Sequence, residues 1–141
     1  MASPPAKRLA VLACMDARLM PAKLLELDEG DAHVIRNAGG LVTDDAIRSL
    51  SISQHLLGTT EIVLIQHTDC GMQKLSDEEF RQRLREETGK EPSWSPGGFD
   101  DLERSVRDSI ERIKSSPFIP NTDSIRGFVY DVETGELSEV Q

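Results

Sequence analysis

The chain has 141 residues, of which 38% are hydrophobic and 29% charged, a composition typical of a soluble globular domain. Its net charge of −9 argues against nucleic acid and membranes as partners. The apolar run before Cys14 is shorter than the ~7–15 residues of a signal-peptide core and the ~20 residues of a membrane span. We therefore expect residues 1–141 to form one cytoplasmic domain, whose two cysteines bind a metal or react rather than form a disulfide.

The first half of the chain alternates between apolar runs and helix signals. Residues 9–13 form a continuous apolar run, which favours a strand that is covered on both faces. The pattern next predicts a short helix over 21–27, a strand over 33–37 and a flexible turn at 38–40. A second helix is predicted from the N-cap Thr43 to Gly58, and a third strand over 61–66.

The second half predicts two more helices and a hairpin. Ser76 and Glu79 form a capping box that opens a polar helix to Thr88, and a loop rich in Gly and Pro follows over 89–98. A helix is predicted over 100–115, because apolar residues fall on one of its faces. Strands over 128–132 and 136–140 are separated by a turn. Strands that alternate with helices indicate an α/β fold with a mostly parallel sheet.

Three residues with metal-ligating side chains lie at the ends of two predicted strands. Cys14 closes the first strand, His67 closes the third, and Cys70 follows three residues later. If these strands are neighbours, the three side chains meet at the carboxyl edge of the sheet. Two thiolates and one imidazole are typical zinc ligands, and three protein ligands leave the fourth coordination position open, as in a catalytic site. A structural zinc site normally has a fourth Cys or His.

Asp16 and Arg18 follow the first of these cysteines and point the same way in an extended turn. They could form an ordinary surface ion pair, which contributes little. Alternatively they form a gate, in which Asp16 is the fourth zinc ligand or is held away from the metal by Arg18. Two free buried cysteines, with no metal, are a further alternative.

Three motifs resemble the β-class carbonic anhydrases: residues 14–18 (Cys-Met-Asp-Ala-Arg), 34–40 and 67–71. The similarity continues through 43–50, 114–120 and 127–137. The resemblance implies a sheet of order 2-1-3-4 that is extended by an antiparallel C-terminal strand and flanked by helices. It also implies one zinc ion per chain on Cys14, His67 and Cys70, a catalytic dyad of Asp16 and Arg18, and a homodimer or larger homo-oligomer.

The implied reaction is the reversible hydration of carbon dioxide to bicarbonate through zinc-bound hydroxide, which Asp16 orients. The resemblance places five residues around the substrate: His33, Ala38, Gly39, Ile52 and Gly71. The N–H of Gly71 would hold a substrate oxygen. His33 is a candidate proton shuttle, because its unperturbed pKa lies near neutrality, or is an ordinary polar residue at a strand edge.

The chain departs from the family pattern in three places. Only eight residues precede the first strand, so we expect a shortened N-terminal arm. Plant-type members have a glutamine where residues 4–6 read Pro-Pro-Ala, and large aromatic residues where this chain has His33 and Ile52. The last of these departures concerns the substrate pocket rather than the metal ligands, so it bears on the choice of substrate. A hydrolase of carbonyl sulfide or carbon disulfide is the main alternative, followed by a non-catalytic protein stabilised by zinc and a dithiol redox protein.

Overall fold

The computed structural model describes residues 3–141, which form five strands and four helices. A 3-10 turn at Ala38–Gly40 follows the second strand. The elements are β1 (Leu9–Cys14), α1 (Pro21–Leu24), β2 (Ala32–Asn37), α2 (Asp44–Leu57), β3 (Glu61–His67), α3 (Asp77–Thr88), α4 (Leu102–Lys114), β4 (Ile125–Tyr130) and β5 (Leu137–Val140).

One five-stranded sheet organises these elements, with the order β2-β1-β3-β4-β5. β1 pairs in parallel with both β2 and β3, and β3 pairs in parallel with β4. β5 pairs with β4 in the antiparallel direction. The predicted α/β fold, with sheet order 2-1-3-4 and an antiparallel C-terminal strand, is confirmed.

The centre of the sheet is shielded from solvent because β1 and β3 are covered on both faces. Residues 10–13 have no solvent exposure, and residues 62–67 are all buried. On one face, Leu12 and Leu64 pack with residues of α2 and α4; on the other, Val11 and Ile65 pack with Leu19 and the two cysteines. Continuous apolar runs in the sequence thus correspond to strands buried on both sides, as parallel sheets require.

The helix ends follow local signals. The Thr43 side chain accepts a hydrogen bond from the N–H of Ala46 at 3.1 Å, and Ser76 caps α3 in the same way through Glu79. Gly58 ends α2 in the left-handed conformation with φ of 76°. None of the helices among residues 3–141 is long and apolar enough to cross a membrane.

Two predicted elements had wrong boundaries. The first helix ends at Leu24 rather than residue 27, because the backbone at Glu26 has a φ of +53° and cannot continue a right-handed helix. β4 begins three residues before the predicted strand and ends at Tyr130. The carboxylate of Asp131 accepts hydrogen bonds from the N–H groups of residues 133 and 134, so the chain turns there instead of extending.

Candidate active site

The two central strands bring the metal-ligating residues together. Cys14 and His67 are the last residues of β1 and β3, which are parallel neighbours, and Cys70 lies in the turn after β3. One ligand atom from each residue lies within 4.8 Å of those of the other two, and all three side chains are buried. This group can hold a metal ion.

The imidazole of His67 is oriented for such a role. Its Nδ1 lies 2.7 Å from the carbonyl oxygen of Thr68, which can only accept, so Nδ1 carries the proton and donates it. In the neutral imidazole the lone pair is therefore left on Nε2, and this buried atom has no hydrogen-bond partner within residues 3–141. A buried nitrogen without a partner is unfavourable, and a metal ion on Nε2 would satisfy it.

The two cysteines are close enough to compete for one proton. A hydrogen bond from the thiol of Cys70 lowers the pKa of Cys14 to about 4, although burial opposes the change. The same hydrogen bond, together with burial, raises the pKa of Cys70 above its ordinary value. The pair therefore holds one thiolate and one thiol, and a cation between the sulfurs would allow both to ionise.

Asp16 and Arg18 form a tight pair beside these donors. The carboxylate of Asp16 accepts from the N–H of Arg18 at 2.8 Å, from Nε at 3.0 Å and from Nη2 at 2.8 Å. These bonds hold the pKa of Asp16 well below its usual range. Oδ2 of Asp16 lies 3.7 Å from Nε2 of His67, so the carboxylate faces the metal-ligating group while it remains bound to Arg18.

Arg36, which the sequence reasoning did not single out, fixes the loop that carries the pair. Its guanidinium donates to the carbonyl oxygens of Cys14, Asp16 and Leu19 at 2.8–3.0 Å. These carbonyls lie at the end of β1 and in the loop after it, where that of Asp16 also accepts from the N–H of Leu19 at 3.1 Å. The position of Arg36 near the end of β2, beside the end of β1, could have indicated a role at this edge of the sheet. The carbonyl groups that it binds could not be predicted from the sequence.

A cavity of about 220 Å³ opens onto the donors. Ala38, Gly39 and Gly71, three of the five substrate residues suggested by the resemblance, line it together with Cys14, Asp16 and Cys70. Met15 and Met72, which sequence reasoning did not include, complete the walls. A small site with mostly apolar walls and one carboxylate suits a small, apolar substrate.

The structure separates the other two suggested residues from this cavity. His33 pairs with Ala10, four positions before Cys14 on β1, which corresponds to roughly 13 Å along the strand. His33 and Ile52 line a different cavity of about 500 Å³ between β2 and α2. Nδ1 of His33 lies 2.6 Å from the hydroxyl of Ser53, which in turn lies 2.7 Å from that of Thr59.

Comparisons with known proteins agree with this geometry. Residues 9–94 match a family model described as carbonic anhydrase. The chain is 55% identical to β-carbonic anhydrase 1 of Mycobacterium tuberculosis over 97% of its own length and 84% of the relative. The chain belongs to the β-carbonic anhydrase family. A crystal structure of the carbonic anhydrase from Streptococcus mutans superposes with a TM-score of 0.93 at 46% identity, covering 100% of this chain and 86% of that one.

The family also includes relatives with a different named substrate. The chain is 36% identical to a carbon disulfide hydrolase of Acidithiobacillus thiooxidans, over 97% of this chain and 79% of the relative. This identity is lower than that to the mycobacterial β-carbonic anhydrase. Both kinds of relative therefore match most of the length of this chain.

Proposed function

We propose that the chain is a zinc lyase that reversibly hydrates carbon dioxide to bicarbonate. The observation that carries the proposal is the buried Cys-His-Cys group that opens onto a small cavity with Asp16 at its edge. The name of the mycobacterial relative supports this activity over others on the same fold.

One zinc ion per chain fits the donor set of Cys14, His67 and Cys70. Thiolates and imidazole favour zinc over magnesium or calcium, and three protein ligands leave one position open. When bound, zinc supplies a Lewis acid that lowers the pKa of water at that position. Metal analysis should find about one zinc per chain, and its loss in Cys70→Ser would separate binding at this group from adventitious metal.

Asp16 is proposed to accept a hydrogen bond from the attacking water and so to orient it. Arg18 holds this carboxylate through three hydrogen bonds. These bonds control whether the carboxylate faces the substrate or coordinates the metal at its open position. Ala38 and Gly39 leave room for a linear molecule, and the N–H of Gly71 is proposed to bind a substrate oxygen. We expect Asp16→Asn to keep zinc and to lower kcat about 100-fold.

His33 and Ile52 are proposed to serve the site of a second copy of the chain. They lie on a face where the outer edge of β2 has no strand partner among residues 3–141 and where Val34, Leu56 and Phe118 are exposed. Pairing of two copies across this face would cover these apolar side chains. Sedimentation should show a dimer, and Val34→Lys should reduce both dimer content and activity; full activity of a monomer would contradict this arrangement.

Hydrolysis of carbonyl sulfide or carbon disulfide is the second candidate. The mostly apolar walls of the cavity and the carbon disulfide hydrolase relatives favour it. The deciding experiment measures carbon dioxide hydration and hydrogen sulfide release on the same zinc-loaded protein. Strong sulfide release with negligible hydration would replace the first proposal. Zinc without either activity would indicate a structural role for the metal, and reactive thiols without zinc would indicate a redox protein.

A further inference from the structure

A second aspartate lies next to the Asp16–Arg18 pair. Nη1 of Arg18 donates to Oδ2 of Asp69 at 3.0 Å, and Nη2 donates to the backbone oxygen of Asp69, also at 3.0 Å. Asp69 lies between His67 and Cys70, 51 residues from Arg18. The guanidinium is therefore held between two carboxylates, and Nε, Nη1 and Nη2 each donate at least one hydrogen bond.

Asp69 is itself held in place. Its second oxygen, Oδ1, accepts a hydrogen bond from the ammonium group of Lys74. Its backbone has a φ of +53°, a left-handed conformation that Asp and Asn tolerate better than most residues. Lys74, Asp69, Arg18 and Asp16 thus form a row of alternating charges that runs from the surface to the metal-ligating group.

We propose that Asp69 is a positioning residue, which fixes the guanidinium of Arg18 so that Arg18 can hold Asp16 toward the substrate. The inference rests on the proposed function, since it concerns the same site. Arg18 is about half exposed, and a single ion pair in such a place constrains a long side chain only weakly. Two carboxylates that bind different nitrogens of the guanidinium, Asp16 at Nε and Nη2 and Asp69 at Nη1, leave it far fewer conformations.

The competing explanation is that Asp69 only shapes the turn that presents Cys70. Asp69→Gly separates the two, because glycine suits the positive φ while the carboxylate is deleted. Asp69→Asn keeps the size and a neutral acceptor for Nη1, so its loss should be smaller. Glu87→Gln is the matched control: it removes a similarly exposed carboxylate from an ion pair with Arg83 on α3, away from the site.

The experiment measures kcat/KM for hydration on zinc-loaded protein with measured zinc content. We expect Asp69→Gly to lower kcat/KM about tenfold at unchanged zinc content, and Glu87→Gln to have no effect. In an Arg18→Ala background, Asp69→Gly should cause no further loss, because Asp69 acts through Arg18. Equal losses in both backgrounds, or an Asp69→Gly variant as active as Glu87→Gln, would overturn the proposal.

A second measurement does not depend on turnover. In the wild type, NMR should resolve separate Nη signals for Arg18, because its guanidinium cannot rotate freely, and these signals should merge in Asp69→Gly. Unchanged Arg18 signals would refute the positioning role. If the wild type hydrates neither carbon dioxide nor carbonyl sulfide, the proposed function fails, while this comparison still decides the role of Asp69.

Discussion

Substitution of Gly40 tests how the close packing of the strands positions Cys14. A Cβ built at this position would lie 2.7 Å from the backbone N of Cys14 and 3.0 Å from both the carbonyl carbon of Ala13 and the oxygen of Ile65. All three atoms belong to the backbones of β1 and β3, so none can rotate away. Gly40→Ala should therefore push the two strands apart at the metal-ligating end.

The expected cost has two parts. The φ of +63° at Gly40 is left-handed, which costs a residue with a Cβ roughly 1–2 kcal/mol. Forcing a methyl group against close-packed backbone adds about 1–3 kcal/mol. The sum, roughly 2–5 kcal/mol, is a large part of the ~5–15 kcal/mol by which typical domains are stable, yet leaves the variant folded in most of that range.

Gly58→Ala is the control for the cost of placing a Cβ on a residue with left-handed φ. Gly58 has a similar φ of +76°, but a Cβ there would meet nothing within 4 Å. Urea unfolding followed by circular dichroism should give a larger loss for Gly40→Ala, by about 1–3 kcal/mol. Zinc affinity should fall about 10- to 100-fold in Gly40→Ala alone. Equal unfolding free energies for the two variants, with equal zinc affinities, would refute the reasoning.

Three further outcomes follow from the site. Arg36→Met removes the guanidinium that donates to three loop carbonyls, of which that of Asp16 also accepts from the N–H of Leu19; urea unfolding should therefore show a loss of about 1–3 kcal/mol, and a loss no larger than in Arg36→Lys would contradict this role. Because Arg18 lowers the pKa of Asp16, their pair stabilises the metal-free fold above the unfolded-state pKa of about 3.9, and that contribution is lost as the pH falls through the lower folded-state value. The difference in unfolding free energy between wild type and Arg18→Met should therefore shrink below about pH 4, and a constant difference would argue against it. Since the raised pKa of Cys70 keeps its thiol protonated at neutral pH while Cys14 is already a thiolate, zinc binding to the two sulfurs should release about one proton by calorimetry in buffers of different ionisation enthalpy, and no release would contradict the thiol–thiolate pair.

The parts of the fold that could be predicted depend on local or repeated signals. Continuous apolar runs such as 9–13 mark buried parallel strands, and the caps at Thr43 and Ser76 act within one helical turn. The meeting of Cys14 with His67 also followed from general geometry, because parallel neighbours end at the same edge. The sheet order came from the family resemblance rather than from these signals.

The parts that could not be predicted depend on contacts between distant residues. The start of β4 is set by its pairing with β3, not by the apolar run at Phe128. The roles of Arg36 and Asp69 arise from bonds to partners 17 to 51 residues away. Likewise, the distance between His33 and the metal-ligating group follows from the register of β2 against β1, which no local pattern encodes.

The central place of β1 has a consequence for how metal would leave and return. Its backbone amides are sandwiched between two strands and buried on both faces, so they should be among the slowest in the chain to exchange hydrogen with solvent. Cys14 is anchored to this slowest-exchanging segment, whereas Cys70 lies in a turn beyond the sheet. If the group binds zinc as proposed, exchange of the metal should need motion of the turn alone, and cobalt, a spectroscopic reporter, should replace zinc without unfolding the protein.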